Sequence, residues 1–366
     1  MDEVEAATLY GNLTALSYLC PLAGGYIAGK WLGERASVFV GAAIMALAYF
    51  CFFFDTKTAF WIGFCLIPIG NGFFKPAMPT LVGRLYKHGD ARRNVGFQIF
   101  YMSINVGALI SPFIAEWSKG YGWKWMFLSA SISLMLASLC FLNGQGSLTR
   151  QDNIGLEMKS SVSNKDRVIA IMIVSAIGAF FWMCFHQNGT TLNYFAQSYT
   201  NRVVWGYEIP VGWFQALNPL FIIGLVYGFG KTLEKLNISM PTSLVIGMFF
   251  AASGFIVLGL GAMPGTLVNP MWLVMSYLLI TIGEIFVSPV GLSLINKLAP
   301  KHLSSTMIAI WYLAVAAGNK MMGPLAQLWV TWPKWVFFCA LGGSLILAGL
   351  AMLTQRKRLL FVTSGV

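Results

Sequence analysis

The sequence predicts an all-α polytopic membrane protein built from two repeated helical bundles. Only 10% of its 366 residues are charged and 57% are hydrophobic, whereas soluble domains carry roughly 25% charged residues. The apolar residues occur in continuous blocks and lack the alternation of membrane β-strands. In addition, parts of the second half of the chain repeat parts of the first half. These observations argue against a soluble domain and favour helices that cross a bilayer.

Eleven apolar blocks are long enough to cross a hydrocarbon core of about 30 Å, which takes about 20 helical residues. They run over 7–29, 36–54, 59–83, 96–115, 123–143, 168–198, 209–230, 240–262, 269–298, 303–329 and 333–354. Seventeen of the 24 lysine and arginine residues fall in loops on one predicted side and five on the other. This asymmetry places the N-terminus outside and the C-terminus inside. Because these residues lie at the ends of spans, the net charge of +11 does not indicate a nucleic-acid partner.

A polar stretch in the middle of the chain divides the spans into two groups. We therefore predict an N-terminal bundle of five spans over 1–143, a cytoplasmic linker over 144–167 and a C-terminal bundle of six spans over 168–366. Two parallel repeats joined by a cytoplasmic linker indicate the major facilitator fold. Each half of that fold holds six helices, so we expect that the first half lacks one helix, which would precede Met1.

The repeat is visible in two consecutive spans. Residues 70–85 align with 283–298 at an offset of 213, and residues 100–107 align more loosely with 311–318 at an offset of 211. The sequence shows no pattern of nucleophile and base and no spacing of metal ligands, which argues against an enzyme and against a metal site.

Ionisable side chains inside the spans are the first functional candidates, because each costs a few kcal/mol or more to insert. These residues are Glu284, Lys75, Lys320 and His186. Glu284 and Lys75 occupy nearly equivalent places in the two repeats, so we expect them to face each other across a central cavity. A structural ion pair is an alternative that is compatible with a functional role. Snorkelling or pairing explains Lys320 equally well.

Aromatic and amide residues surround these charges in the sequence. They are Tyr18, Tyr101, Asn105, Trp182, Gln187, Asn218 and Trp311. Asn105 and Asn218 lie in mid-span and are able to bind a peptide backbone, although hydrogen bonding between helices accounts for them equally well. Tyr18 and Trp311 fit either a pocket lining or ordinary packing.

Several motifs resemble those of the proton-dependent oligopeptide transporter family of the major facilitator superfamily. They are Gly72-Phe73-Phe74-Lys75-Pro76, Gly89-Asp90-Ala91-Arg92-Arg93, Phe100-Tyr101-Met102-Ser103-Ile104-Asn105-Val106-Gly107, Asn218-Pro219-Leu220-Phe221, Gly283-Glu284 with Ser288-Pro289-Val290-Gly291, and Trp311-Tyr312-Leu313-Ala314. They occur in the family's order and spacing along essentially the whole chain.

The resemblance implies inward transport of di- and tripeptides with protons across the cell membrane, taken here as a bacterial inner membrane. Lys75 would hold the peptide carboxylate side and couple to Glu284, which would face the peptide amino group. The remaining site residues follow: Asn105 and Asn218 would bind the backbone, and Tyr18 and Trp311 would line the pocket. The proton is the coupling ion, membrane lipid surrounds the chain, and neither another cofactor nor an obligate protein partner is implied.

The sequence departs from the family pattern in ways that concern the proton. No helix carries the family's Glu-x-x-Glu-Arg motif, Gly29 replaces an acid in the loop after the first span, and His186-Gln187 replaces Glu-Gln. The two additional helices of many bacterial members are also absent. Two interpretations of His186 remain open: a neutral, hydrogen-bonded residue, or a replacement proton site, since imidazole titrates near pH 6.5.

The sequence leaves alternative functions for the protein as a whole. It is also consistent with a truncated or non-transporting family member that acts as a sensor, or with an amino-acid or drug transporter on the same fold.

Overall fold

Long α-helices make up most of the structure, a computed structural model that describes residues 1–86, 92–144, 146, 162–225, 238–300 and 304–364. The first helices are α1 (Glu3–Ile27), α2 (Glu34–Phe52), α3 (Lys57–Arg84), α4 (Arg92–Lys119) and α5 (Trp123–Gly144). They are followed by α6 (Asn164–Phe185), α7 (Thr191–Ser198), α8 (217–225) and α9 (Met240–Ala262). The last are α10 (Pro270–Leu298), α11 (Ser304–Lys320), α12 (Met322–Thr331) and α13 (Lys334–Ser364). Most of the predicted linker lies outside the described residues, as do Gly89, Asp90 and Ala91 of the motif between α3 and α4.

Local capping explains where two of the long helices begin. Thr56 precedes α3, and its side chain accepts a hydrogen bond from the backbone N–H of Ala59 at 3.2 Å. Asn269 precedes α10 and accepts from the backbone N–H of Met271 at 2.9 Å. Each cap satisfies an N–H group that has no partner inside the first helical turn.

Seven helical segments of the described chain are long and apolar enough to cross a membrane, and each coincides with a predicted span. They are Glu34–Phe52, Gly96–Lys119, Trp123–Gly144, Asn164–Ser198, Met240–Ala262, Pro270–Leu298 and Lys334–Ser364. Of the other predicted spans, 7–29 and 59–83 fall on α1 and α3, which carry polar residues such as Asn12 and Lys75 in the helix. The all-α membrane fold is therefore present, while the count of eleven crossings and the outside N-terminus stay predictions.

Three predicted spans are interrupted in the structure. The span over 168–198 contains a 3₁₀ turn, His186–Gly189, between α6 and α7. The span over 303–329 is divided at Met321 into α11 and α12. The span over 209–230 begins with a 3₁₀ helix, Val211–Ala216, and its last residues, 226–230, lie outside the described chain.

A small hairpin joins α7 to the 3₁₀ helix. Its strands β1 (Val203–Val204) and β2 (Tyr207–Glu208) are antiparallel, and the turn residues Trp205 and Gly206 both have positive φ, at 49° and 80°. Positive φ at both turn positions is the geometry of a type I′ hairpin. Arg202 closes the hairpin with an ion pair to Glu208 at 2.5 Å.

Contacts divide the chain into two compact units, here called the N-terminal unit (Asn12–Leu156) and the C-terminal unit (Met1–Gly11 with Glu157–Val366). In the N-terminal unit, α2 packs against α3 and α5, and α4 packs against α5. In the C-terminal unit, α9 packs against α10 and α13, and α6 packs against α11 and α13. The domain boundaries drawn from the sequence stay a prediction.

The first turns of α1 belong to the C-terminal unit through Glu3. The indole Nε1 of Trp329 donates a hydrogen bond to Glu3 Oε2 at 3.0 Å, and the hydroxyl of Tyr194 donates to the Glu3 backbone carbonyl at 3.1 Å. Gly11 completes this contact, because a Cβ atom there would lie 2.7 Å from the carbonyl oxygen of Asn319.

Candidate functional site

Glu284 is a buried carboxylate in the middle of α10, with 9% of its surface exposed. The side-chain amide of Asn218, at the start of α8, donates hydrogen bonds to Glu284 Oε2 at 2.7 Å and to Thr281 Oγ1 at 3.0 Å. Thr281 lies one turn before Glu284 on the same helix, so the two acceptors orient one amide group. A hydrogen bond to an ionised group at this distance belongs to the strong class.

Close packing of α10 fixes the position of this acid. A Cβ atom on Gly283 would lie 2.5 Å from the carbonyl oxygen of Gly247 on α9, so the two backbones touch there. Among the described residues of the C-terminal unit, no basic side chain pairs with Glu284. Its contact in this unit is therefore a neutral amide, which orients the carboxylate without neutralising it.

Trp311 lies inside the C-terminal unit and is 3% exposed. Its ring occupies space that two glycines leave open, since Cβ atoms on Gly291 and Gly178 would come within 2.5 Å and 3.1 Å of the ring. Its ring centroid lies 6.2 Å from that of Trp182, edge to face. These contacts are packing contacts between α6, α10 and α11, and whether Trp311 also lines a pocket stays a prediction.

His186 begins the 3₁₀ turn that follows α6. Its Nδ1 atom lies 2.8 Å from the backbone carbonyl oxygen of Trp182. Because a carbonyl only accepts, this contact assigns the proton to Nδ1, and in the neutral ring Nε2 is then an acceptor. The ring also lies against Trp182 and Phe185, with centroids 5.5 Å from each.

Gln187, the other residue that replaces the family's Glu-Gln pattern, is fully buried. Its Oε1 accepts hydrogen bonds from the hydroxyls of Thr190 and Thr191 at 3.2 Å and 3.0 Å, and its Nε2 donates to the Met183 carbonyl at 3.1 Å. These hydrogen bonds stabilise the 3₁₀ turn between α6 and α7. Gln187 thus has a structural role that the sequence did not reveal.

Lys75 is half-buried on α3 in the N-terminal unit. Its Nζ atom lies 4.0 Å above the ring centroid of Tyr18 on α1, which is well within the range of a cation–π contact. A Cβ atom on Gly24 would lie 2.1 Å from the carbonyl oxygen of Gly72, so α1 and α3 touch through their backbones close to this pair. Among the described residues of its own unit, no carboxylate pairs with Lys75.

Asn105 is buried on α4, with 6% of its surface exposed. Its Nδ2 atom donates to the backbone carbonyl of Tyr101, one turn earlier, at 2.9 Å. The amide is thereby oriented by its own helix. A role in binding a peptide backbone stays a prediction, as does the role of Lys320, an exposed residue at the end of α11.

The structure thus brings predicted residues together within each unit: Asn218 with Glu284, and Tyr18 with Lys75. The pairing of Lys75 with Glu284 concerns both units and stays a prediction. Sequence reasoning missed Thr281, although its spacing of one turn from Glu284 marks it as a neighbour on the same helix face.

The comparisons with known proteins agree on one family. The family model described as the POT family matches residues 35–157 and 150–337. The peptide transporter YePEPT of Yersinia enterocolitica subsp. palearctica serotype O:3 (strain YE-P4) is 33% identical, over 87% of this chain and 78% of that protein. The di-/tripeptide transporter of Lactococcus lactis subsp. cremoris is 26% identical, over 100% of this chain and 89% of that protein.

A solved structure shows the same architecture. The crystal structure of the peptide transporter POT in complex with sulfate matches with a TM-score of 0.90 and 27% identity, covering 99% of this chain and 88% of that one. The chain is therefore a multi-pass membrane protein of the major facilitator type, and it belongs to the POT family.

Proposed function

We propose that this protein carries di- and tripeptides across the cell membrane together with protons. The observation that carries the proposal is the pair of ionisable side chains at repeat-related positions, Lys75 and Glu284, each held within its own unit by a neutral partner. A zwitterionic peptide presents the complementary charges. In a medium of low dielectric, such charges attract strongly over a few ångströms.

The two charges divide the recognition of the peptide. Lys75 takes the carboxylate side, because an ammonium group presents three donors and its contact with Tyr18 is made to the face of the ring and not to a hydrogen-bond acceptor. Glu284 takes the amino group, with Asn218 keeping the carboxylate oriented. The relatives are named peptide transporters, which supports this class of substrate.

The proton is the coupling ion in this proposal. A carboxyl group binds an ammonium group only when it is ionised, so protonation of Glu284 and binding of a peptide amino group compete for the same oxygen atoms. For the peptide and the proton to cross together, a second group carries the proton while Glu284 holds the amino group, and transfer of that proton to Glu284 releases the substrate. Lys75 is one candidate for that second group. His186 is the second candidate for this role, because its Nε2 atom is an acceptor in the neutral ring.

The test is transport by the purified protein in liposomes. We expect uptake of labelled dialanine to rise when an inward proton gradient is imposed and to stop when a protonophore collapses that gradient. Unlabelled trialanine should compete, while free alanine should not. Uptake that ignores the gradient would exclude proton coupling, and competition by alanine in place of trialanine would favour the amino-acid transporter alternative.

A further inference from the structure

Helix α13 is longer than a membrane span requires. It has 31 residues, whereas about 20 residues cross the hydrocarbon core. At a rise of about 1.5 Å per residue, Lys334 and Lys357 are about 35 Å apart along the helix, so they lie on opposite sides of a core of about 30 Å. The last helix of the first half, α5, has 22 residues and no basic residue in its last turn. The basic end is therefore a feature of α13 that the repeat does not explain.

Contacts within the C-terminal unit hold this end of α13 in place. Leu359 and Val362 are buried, with 0% and 1% of their surface exposed. On one flank, the Nε atom of Arg356 donates a hydrogen bond of 2.9 Å to the hydroxyl of Thr242 at the start of α9. On the other flank, a guanidinium nitrogen of Arg358 lies 3.6 Å from a carboxylate oxygen of Asp166 on α6. The helix end therefore has one face fixed against the protein and the opposite face turned outward.

The outward face of α13 is a single stripe that runs from the middle of the span to its basic end. Its exposed residues are three or four positions apart, which is the spacing of one helix side. They are Leu347, Leu350, Thr354, Lys357 and Phe361. Exposed leucines in mid-span face lipid tails, which are as apolar as leucine. Because Lys357 is only about 10 Å beyond Leu350 along the axis, the stripe passes directly from the acyl chains to the headgroups.

The end of the stripe carries an excess of positive charge. The described ranges around it, 162–168, 238–245, 294–300 and 354–364, contain six basic residues and one acidic residue, Asp166. The basic residues are Lys165, Arg167, Lys297, Arg356, Lys357 and Arg358. Asp166 offsets only one of these six charges, and Arg356, Lys357 and Arg358 are all exposed. The charge of this surface therefore complements an anionic partner.

We propose that the end of α13 is a docking site for an anionic phospholipid of the cytoplasmic leaflet. The headgroup phosphate binds at Lys357, within reach of the two flanking arginines, each of which uses one guanidinium nitrogen for its contact within the protein and has further donors. An acyl chain follows Leu350 and Leu347 toward the midplane of the bilayer. The positive-inside asymmetry directs the C-terminus to this leaflet, where anionic lipids are found.

A soluble anion and an acidic protein fit the surface less well than a lipid does. A soluble anion would use the charges alone and would give no role to Phe361, which is 69% exposed beside them. An acidic protein would approach from the cytoplasm, whereas Lys357 lies on the same side of the helix as the lipid-facing Leu347 and Leu350. A phospholipid contacts the charged and the apolar part of this stripe at the same time.

A lipid-retention assay on the full chain, immobilised in detergent, tests this inference. The protein is titrated with radiolabelled dioleoyl phosphatidylglycerol or with dioleoyl phosphatidylcholine, which has the same acyl chains but no net charge. We expect the anionic lipid to bind at least tenfold more tightly and to lose this advantage as salt is raised, because exposed charges are screened. Inorganic phosphate at 10 mM should not displace it. Equal affinity for the two lipids, or displacement by phosphate, would overturn the inference.

Charge variants locate the binding site on α13. Lys357→Gln should weaken binding of phosphatidylglycerol about fivefold, and the triple variant Arg356→Gln, Lys357→Gln, Arg358→Gln about a hundredfold, from about fivefold for each charge near the membrane surface.

Two controls separate charge from structure. Arg356→Lys with Arg358→Lys keeps the charges without the guanidinium contacts to Thr242 and Asp166, and should bind phosphatidylglycerol within about threefold of the parent protein. Lys119→Gln with Lys124→Gln removes two charges at the opposite predicted end of the span and should leave binding unchanged. Full binding by the glutamine variants, or a loss in either control as large as in the triple variant, would contradict a lipid site on α13.

Discussion

Lys75 and Glu284 occupy related places in the two repeats, yet the two units hold them by different interactions. Glu284 receives a directional hydrogen bond of 2.7 Å from Asn218, which fixes both the position and the orientation of the carboxylate. Lys75 rests 4.0 Å above the Tyr18 ring, a contact that tolerates rotation about the side chain and leaves its N–H groups available. Glu284 is therefore held in a fixed orientation, whereas Lys75 is able to adjust its position. We expect substitutions around Glu284 to reduce transport more than substitutions around Lys75.

The largest effect is expected from the acid. Glu284→Ala removes the carboxylate and leaves the amide of Asn218 without this partner, so dialanine uptake should fall by about 30-fold or more, from about 2–5 kcal/mol for truncating one member of a buried charged pair. Glu284→Gln keeps an acceptor for Asn218 and serves as the folding control. Proton-driven uptake by the Gln variant at the normal rate would show that the charge is not required.

Lys75→Ala should lower dialanine uptake by about tenfold to a hundredfold, because a hydrogen bond to a charged group contributes about 1.5–3 kcal/mol. Substrate chemistry provides the matched control, since dialanine amide lacks the carboxylate. The variant and the parent protein should therefore bind the amide with similar affinity in a competition assay. If Lys75→Ala weakened binding of the acid and the amide equally, Lys75 would not be the carboxylate partner.

The sequence predicted the membrane helices, which depend on composition, but it did not predict side-chain contacts between residues that are separated along the chain. Continuous apolar blocks located the membrane helices, and burial cost singled out Glu284 and Lys75. The hydrogen bond between Asn218 and Glu284 joins residues far apart in the chain, so no local pattern encodes it. The break after Phe185 depends on the hydrogen bonds of Gln187 with threonines that follow it, and hydropathy does not detect such bonds.

The rigidity of the acid depends on Asn218, which gives the next prediction. Asn218→Ala should lower uptake by about tenfold, because a hydrogen bond to a carboxylate contributes about 1.5–3 kcal/mol. Thr281→Val removes the other acceptor of the same amide at 3.0 Å and should cost only a few-fold, since a neutral hydrogen bond contributes about 0.5–1.5 kcal/mol. Equal losses in the two variants would mean that the amide network, and not its bond to Glu284, matters.

The adaptable contact of the base should give a smaller effect. Tyr18→Leu removes the aromatic face below Lys75 and should weaken binding of dialanine by about twofold to fivefold, from about 0.5–1 kcal/mol for a cation–π contact that is not fully desolvated. Tyr18→Phe retains the ring and should bind within about twofold of the parent protein. A loss in the Phe variant as large as in the Leu variant would assign the role to the hydroxyl group.

The smallest effect is expected at His186, and it decides which group carries the proton. The Nδ1 atom of His186 is engaged by the Trp182 carbonyl at 2.8 Å and the ring lies against Trp182 and Phe185, so the residue has a structural role at the end of α6. A glutamine side chain is able to donate a comparable hydrogen bond and does not titrate. We therefore expect His186→Gln to change peptide counterflow by less than about twofold and to retain the rise in uptake on acidifying the outside.

Counterflow and proton-driven uptake measured on the same preparation separate the structural role of His186 from a role in proton coupling. If counterflow is kept while the dependence on external pH is lost, then His186, rather than Glu284, is the coupling residue. The rigidly held acid would then serve substrate binding alone.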